Sequence, residues 1–230
     1  MLLIVAQQHD RAAVSLAARW QYRGAAVLTL RDLSEPGWRF EVGSASPSRA
    51  IAGGRAFTSD EVSGVLTRLA AAGCAELNHV AVEDRSYVSS EMTAFLLAWL
   101  SSLTCPILNR PAPGCLCGPN WRIEQWMHLA GRLGIPVNGV RRSTSPAAAD
   151  EREGGARVTV VGGRCAGDVH LSLAAYARRL AEAAQVDLLE VWFTNAERGG
   201  RLHNVSLCPD ISMPEIADAM LEYFDSRTPC

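Results

Sequence analysis

Leu2 to Ala6 form an unbroken apolar run, and the polar residues Gln7, Gln8, His9 and Asp10 end it abruptly. A run of that length with no polar position reads as a buried strand. The period then changes. From about Asp10 to Tyr22 the apolar residues recur at helical spacing, and Gly24 closes the segment before a second apolar run, Ala25 to Leu30. A strand, a helix and a strand in that order open a layered α/β domain.

The rest of the chain extends the pattern. "WRFEVGS" and "SRAIAGGRAF" read as short strands with a loop between them. "FTSDEVSGVLTRL" reads as a helix: Thr58 and Glu61 make a capping box, and Val62, Val65, Leu66 and Leu69 fall on one helical face. His79 to Val82 reads as a short strand. Ser89 is expected to cap a helix that turns Phe95, Leu96, Trp99, Leu100 and Leu103 inward. A strand at Pro106 to Leu108 leads into the loop "ILNRPAPGCLCGPNWRIEQW", and Ile123, Trp126, Met127, Ala130 and Leu133 then have helical spacing up to Gly134 and Pro136. "RRSTSPAAADEREGGAR" is small, polar and without period, the composition of a linker. Beyond it come a strand ("VTVVGG"), a helix bearing Leu173, Tyr176, Ala177, Leu180 and Ala184, a strand ("DLLEVWF"), a turn ("NAERGG"), a returning strand ("RLHNVSL") and a closing helix.

Composition matters in one respect. All 22 basic residues are arginines, so no lysine can clamp a phosphate or form a Schiff base. The net charge of −2 argues against a nucleic-acid partner. No run is apolar and long enough to cross a membrane, and the N-terminus lacks the basic start of a signal peptide, so the expected location is the cytoplasm. The seven cysteines are odd in number and scattered, which does not make a disulfide framework.

The chemical candidates are few. Cys115 and Cys117 could share a soft metal, although a closed zinc site needs about four ligands. "VVGGRCAGD" has glycines between a strand and a helix, but lacks the spacing of a phosphate loop and reads as a tight β-to-α turn. His9 follows the first strand, where α/β folds commonly bind ligands. None of the histidines His9, His79, His128, His170 or His203 sits in a recognisable triad or metal motif.

"CPILNRPAPGCLCGPNWRIEQWMHLAGRLGIPV" resembles the end of the pre-ATP-grasp domain of ATP-grasp ligases of the glutathione-synthetase and glutamate-ligase type. Asn109, Arg110 and Pro111 match that family's turn, and Leu133, Gly134, Ile135 and Pro136 its helix stop. "RVTVVGG", "LAEAAQVDLLEVWF" and "GGRLHNVSLCPDISMPEIADAMLEYF" resemble its C-terminal lobe in order. The resemblance implies a pre-ATP-grasp-like α/β domain at 1–140, a linker at 141–157 and a reduced ATP-grasp-like C-terminal lobe at 158–230.

The departures imply lost catalysis. The family's nucleotide-gripping lobe has no counterpart in the short linker. Its Glu-x-Asn magnesium pair aligns with Asn204 and Ser206, a degenerate site. An acid of the preceding strand aligns with Trp192, with Glu190 expected on the opposite face. Neither ATP nor magnesium is therefore expected to bind. The expected role is a non-catalytic partner or binding subunit in a peptide or small-molecule modification pathway. Trp121, Trp126, Trp192 and Phe193 would contact a protein partner or a second copy. His9, Arg110 and Arg122 would line a cleft for a peptide or small carboxylate. Two alternatives stand beside it: the substrate-binding half of a carboxylate–amine ligase completed by another chain, and a metal-binding accessory protein using Cys115 and Cys117.

Overall fold

The computed structural model describes residues 1–44, 46–139 and 155–227, so most of the expected linker lies outside the described residues. They pack as two units. The first comprises Met1–Asn120, Asp210–Ala217 and Leu221–Cys230, and the second Trp121–Pro209 with Asp218–Met220.

The first unit is a parallel sheet with the order β2-β1-β5-β6, built from β1 (Leu2–Val5), β2 (Ala26–Leu28), β5 (Gly64–Thr67) and β6 (Ile107–Leu108). The central strands β1 and β5 are buried at every position, as strands covered on both faces must be. Helix α1 (Arg11–Arg19) joins β1 to β2, and Asp10 caps it by accepting the Ala13 N–H at 2.9 Å. Helix α2 (Arg85–Ser102) brings Leu96, Trp99 and Leu100 into a core shared with Leu3, Val5, Val65 and Ile107. A separate hairpin, β3 (Arg49–Ala52) and β4 (Arg55–Thr58), adds Ala50 and Phe57 to that core.

Four local expectations fail here. The helix expected over "FTSDEVSGVLTRL" is a single 3₁₀ turn, Ser59–Glu61, followed by β5. The Thr58–Glu61 capping box does form, but it caps only that turn. The apolar run satisfies helical spacing and a buried strand equally well, and burial on both faces decides for the strand. Residues 38–44 make no strand, only a bridge between Arg39 and Arg49. His79 to Val82 forms a turn. Ser89 lies inside α2, where its hydroxyl donates to the Ala72 carbonyl at 2.7 Å.

The second unit is an antiparallel sheet with the order β10-β9-β7-β8: β7 (Ala156–Val161), β8 (Arg164–Ala166), β9 (Leu188–Phe193) and β10 (Leu202–Ser206). Helices α3 (Ile123–Arg132) and α4 (Leu171–Ala184) cover one face. Trp126, Met127 and Ala130 of α3 share a core with Val158, Val160, Leu180, Leu189 and Val191. With that packing the second unit begins at Trp121. "VVGGRCAGD" is a hairpin, not a turn into a helix. Gly162 and Gly163 have φ of 55° and 95°, the positive pair that a two-residue hairpin loop requires. Helix α5 (Pro214–Arg227) follows β10.

Candidate functional site

The second sheet has one apolar and one polar face. Val158, Val160, Leu189, Val191 and Phe193 point into the helix-covered core. Their alternates point the other way and line up across three strands. Thr159 pairs with Glu190, and Glu190 with Ser206. One step along, Arg157 pairs with Trp192, and Trp192 with Asn204. Side chains opposed in this way have Cβ atoms about 4.5–5.5 Å apart.

A β-bulge makes this arrangement possible. Leu202 is fully buried in the core and Val205 packs against the same core, although strict alternation would put them on opposite faces. The register shifts between Leu202 and Asn204, and His203 is the extra residue. The shift sends Asn204 and Ser206 to the polar face while keeping Leu202 inside. The bulge also leaves the buried Nδ1 of His203 without a hydrogen-bond partner, and burial lowers that ring's pKa below its usual 6.5.

Glu190 is the residue that sequence reasoning misplaced. Residues two apart on a strand share a face, so Glu190 lies beside Trp192 and opposite Ser206, not on the other side of the strand. Glu190 is only 4% exposed and Thr159 only 3%. The face therefore holds a carboxylate, an amide and hydroxyls within one cross-strand neighbourhood. The Asn204 Oδ1 accepts the Val205 N–H at 2.9 Å, and the Ser206 hydroxyl bonds the Cys208 N–H at 3.0 Å and its carbonyl at 3.2 Å. Each oxygen keeps a lone pair. Oxygen donors with one carboxylate suit magnesium, which usually takes one or two carboxylates and completes its shell with water and phosphate.

Of the other predicted residues, His9 and Arg110 belong to the first unit and Arg122 to the second. His9 is exposed beyond β1. Arg110 uses its guanidinium on the Leu103 and Cys105 carbonyls, at 3.2 and 3.0 Å. Arg122 is exposed at the N-cap of α3, its N–H bonded to the Gln125 side chain at 2.9 Å. Trp126 and Phe193 are core residues, 3% and 0% exposed, which leaves Trp121 and Trp192 half-buried. Trp121 meets Trp126 edge-on, centroids 4.8 Å apart.

Cys115 and Cys117 come together at 3.6 Å between sulfurs, both buried. The Cys117 thiol's hydrogen bond lowers Cys115 to a pKa of about 6, against the upward push of burial. Among the described residues no three His, Cys, Asp or Glu side chains gather into a metal-binding group. A cavity of ≈ 640 Å³ between residues 40–48 and the end of α2 is lined by hydroxyls, Glu41 and Asp60, and contains none of the predicted site residues.

No family model matches the sequence, and no curated protein matches it. Solved structures do. The macrocyclase MdnC from Microcystis aeruginosa, bound with precursor peptide MdnA, superposes with a TM-score of 0.70 at 13% identity, covering 98% of this chain and 99% of that one. A peptide-associated ATP-grasp ligase from Chryseobacterium gregarium, in complex with ADP and a leader and core peptide, gives 0.69 at 10% identity, covering 99% and 97%. The ATP-grasp ligase PsnB, complexed with a minimal precursor, Mg and ADP, gives 0.63 at 12% identity, covering 97% and 98%. The chain shares the fold of these ATP-grasp structures. These structures correct the expectation that no nucleotide or magnesium binds, since proteins of this fold hold ADP and Mg. That expectation also rested on placing Glu190 on the wrong face. Among the described residues no helix is long and apolar enough to cross a membrane.

Proposed function

We propose that this chain is a peptide-binding protein of a peptide-modification pathway, with a magnesium–nucleotide site on the polar face of its second sheet. The observation that carries this reading is the pair of rows Thr159–Glu190–Ser206 and Arg157–Trp192–Asn204. The bulge turns Asn204 and Ser206 onto that face, and the buried Glu190 carboxylate stands opposite Ser206 there. Glu190, Asn204 and Ser206 would hold magnesium, and Arg157 and Trp192 would flank it. Bound magnesium supplies positive charge to nucleotide phosphates. The peptide ligand follows three solved proteins of this fold that are complexes with a precursor or with a leader and core peptide.

The same reading assigns ligation to a pair of chains. Activating a carboxyl group needs cationic donors around the transferring phosphoryl group. This chain has no lysine, and only residues 133–155 separate α3 from β7. A second protein would complete the phosphate grip. ATP turnover tests this with the purified chain, a precursor peptide and an intact ATP-grasp ligase from the same cell. The expected result is amide formation by the pair that exceeds the ligase alone. Full turnover by this chain alone would overturn the division of labour. No stimulation and no peptide binding would overturn the partner role.

A further inference from the structure

We propose that Cys115 and Cys117 are a modification site for peroxide-class oxidants, which close them into a reversible disulfide within the loop. This does not depend on the nucleotide reading and fails or stands separately from it.

The loop is built so that two thiols on alternate residues converge. Ala112 and Cys115 exchange both backbone hydrogen bonds at 3.0 Å, which folds Pro113 and Gly114 into an exposed tip. Gly114 has a φ of 77° and Gly118 a φ of 118°, conformations that bracket the two cysteines. Leu116 between them is fully buried and donates its N–H to the Ala70 carbonyl at 2.8 Å. The Asn109 amide holds the Cys117 carbonyl at 3.3 Å. The backbone on both sides of the thiols is therefore fixed, and the sulfurs stand 3.6 Å apart in a direct S–H···S contact. Bonding needs them to close to about 2.05 Å. Two other thiols face carbonyls instead: Cys74 donates to the Arg85 carbonyl at 3.7 Å and Cys165 to the Ala174 carbonyl at 3.4 Å. Cys115 directly follows the exposed tip and is 5% exposed against 3% for Cys117, so the first reaction with oxidant is assigned to it.

The chemistry balances with hydrogen peroxide as the co-reactant. The Cys115 thiol takes one peroxide oxygen to become a sulfenic acid, and water leaves. The Cys117 sulfur then displaces the sulfenic oxygen, which departs with the Cys117 proton as a second water. The sulfurs lose two electrons in total and peroxide gains them. A thiol reductant reverses the bond by exchange.

The test treats the full chain with equimolar peroxide, quenches in acid, then labels under denaturing conditions with N-ethylmaleimide and maps the peptides. Cys115 and Cys117 should lose labelling together by more than about tenfold while Cys74 and Cys165 keep it, with a mass loss of about 2 Da that dithiothreitol restores. Cys117→Ser, checked for folding by its melting curve, should convert the product to a dimedone-reactive sulfenic acid on Cys115. If that variant does not fold, the wild-type map decides alone. Full labelling of both residues while Cys74 is consumed overturns the proposal, as does a disulfide joining either to another cysteine.

Discussion

Asp10 shows how much one side chain can hold in this molecule. Its Oδ1 caps α1 and its Oδ2 accepts the Arg68 Nε at 2.8 Å, linking the helix start to the residue just past β5. Burial pushes this carboxyl upward, but the Arg68 and Ala13 bonds outweigh it and hold it below 3.8. A carboxyl depressed in the folded state stabilises above its unfolded pKa, and that stability is lost as pH falls through the folded value. Arg68→Ala should therefore cost about 1–3 kcal/mol at pH 7 and shrink that loss in acid, read from urea unfolding at pH 7 and pH 3. Equal unfolding midpoints for the variant and the parent at pH 7 would remove the pair from the account. Glycine makes the opposite kind of prediction. A Cβ on Gly64 would lie 2.6 Å from the Phe224 ring, so Gly64→Ala should destabilise by about 1–3 kcal/mol. Gly73→Ala, whose added carbon meets nothing nearer than 3.8 Å, is the control and should be near neutral.

At the scale of elements, the sequence announced its long periodic segments and hid its short ambiguous ones. Strand β1, helices α3 and α4 and strand β9 follow from unbroken or evenly spaced apolar residues. Strand β5 was hidden because "VSGVLT" satisfies two periods, and only its place between β1 and β6 selects one. The β7–β8 hairpin was legible in Gly162 and Gly163 once read as a positive-φ pair. The candidate site was half legible: Asn204 and Ser206 came from the resemblance, whereas the bulge at His203 has no sequence signature, and Glu190 was lost to a parity error. The bulge carries its own test. His203 is kept neutral by burial, so its folded pKa lies below its unfolded value. Protonation then favours the unfolded chain, and stability should fall as pH drops below about 6.5, with a flatter profile in His203→Gln. Parallel profiles for parent and variant, measured by thermal melting from pH 7.5 to 5, would contradict this.

On the scale of the whole molecule, the fold was recognisable in the sequence, and α3, which looks continuous with the preceding loop, packs with β7, β9 and α4. The account's functional weight rests on the polar face of the second sheet. Isothermal titration of the full chain with ADP, with and without magnesium, tests it most directly, using Glu190→Gln beside the parent. Saturable binding that requires magnesium and weakens by about tenfold or more in Glu190→Gln is the expected result. A parent that takes up no nucleotide at millimolar ADP, or a variant that binds as tightly as the parent, would contradict the assignment of that face.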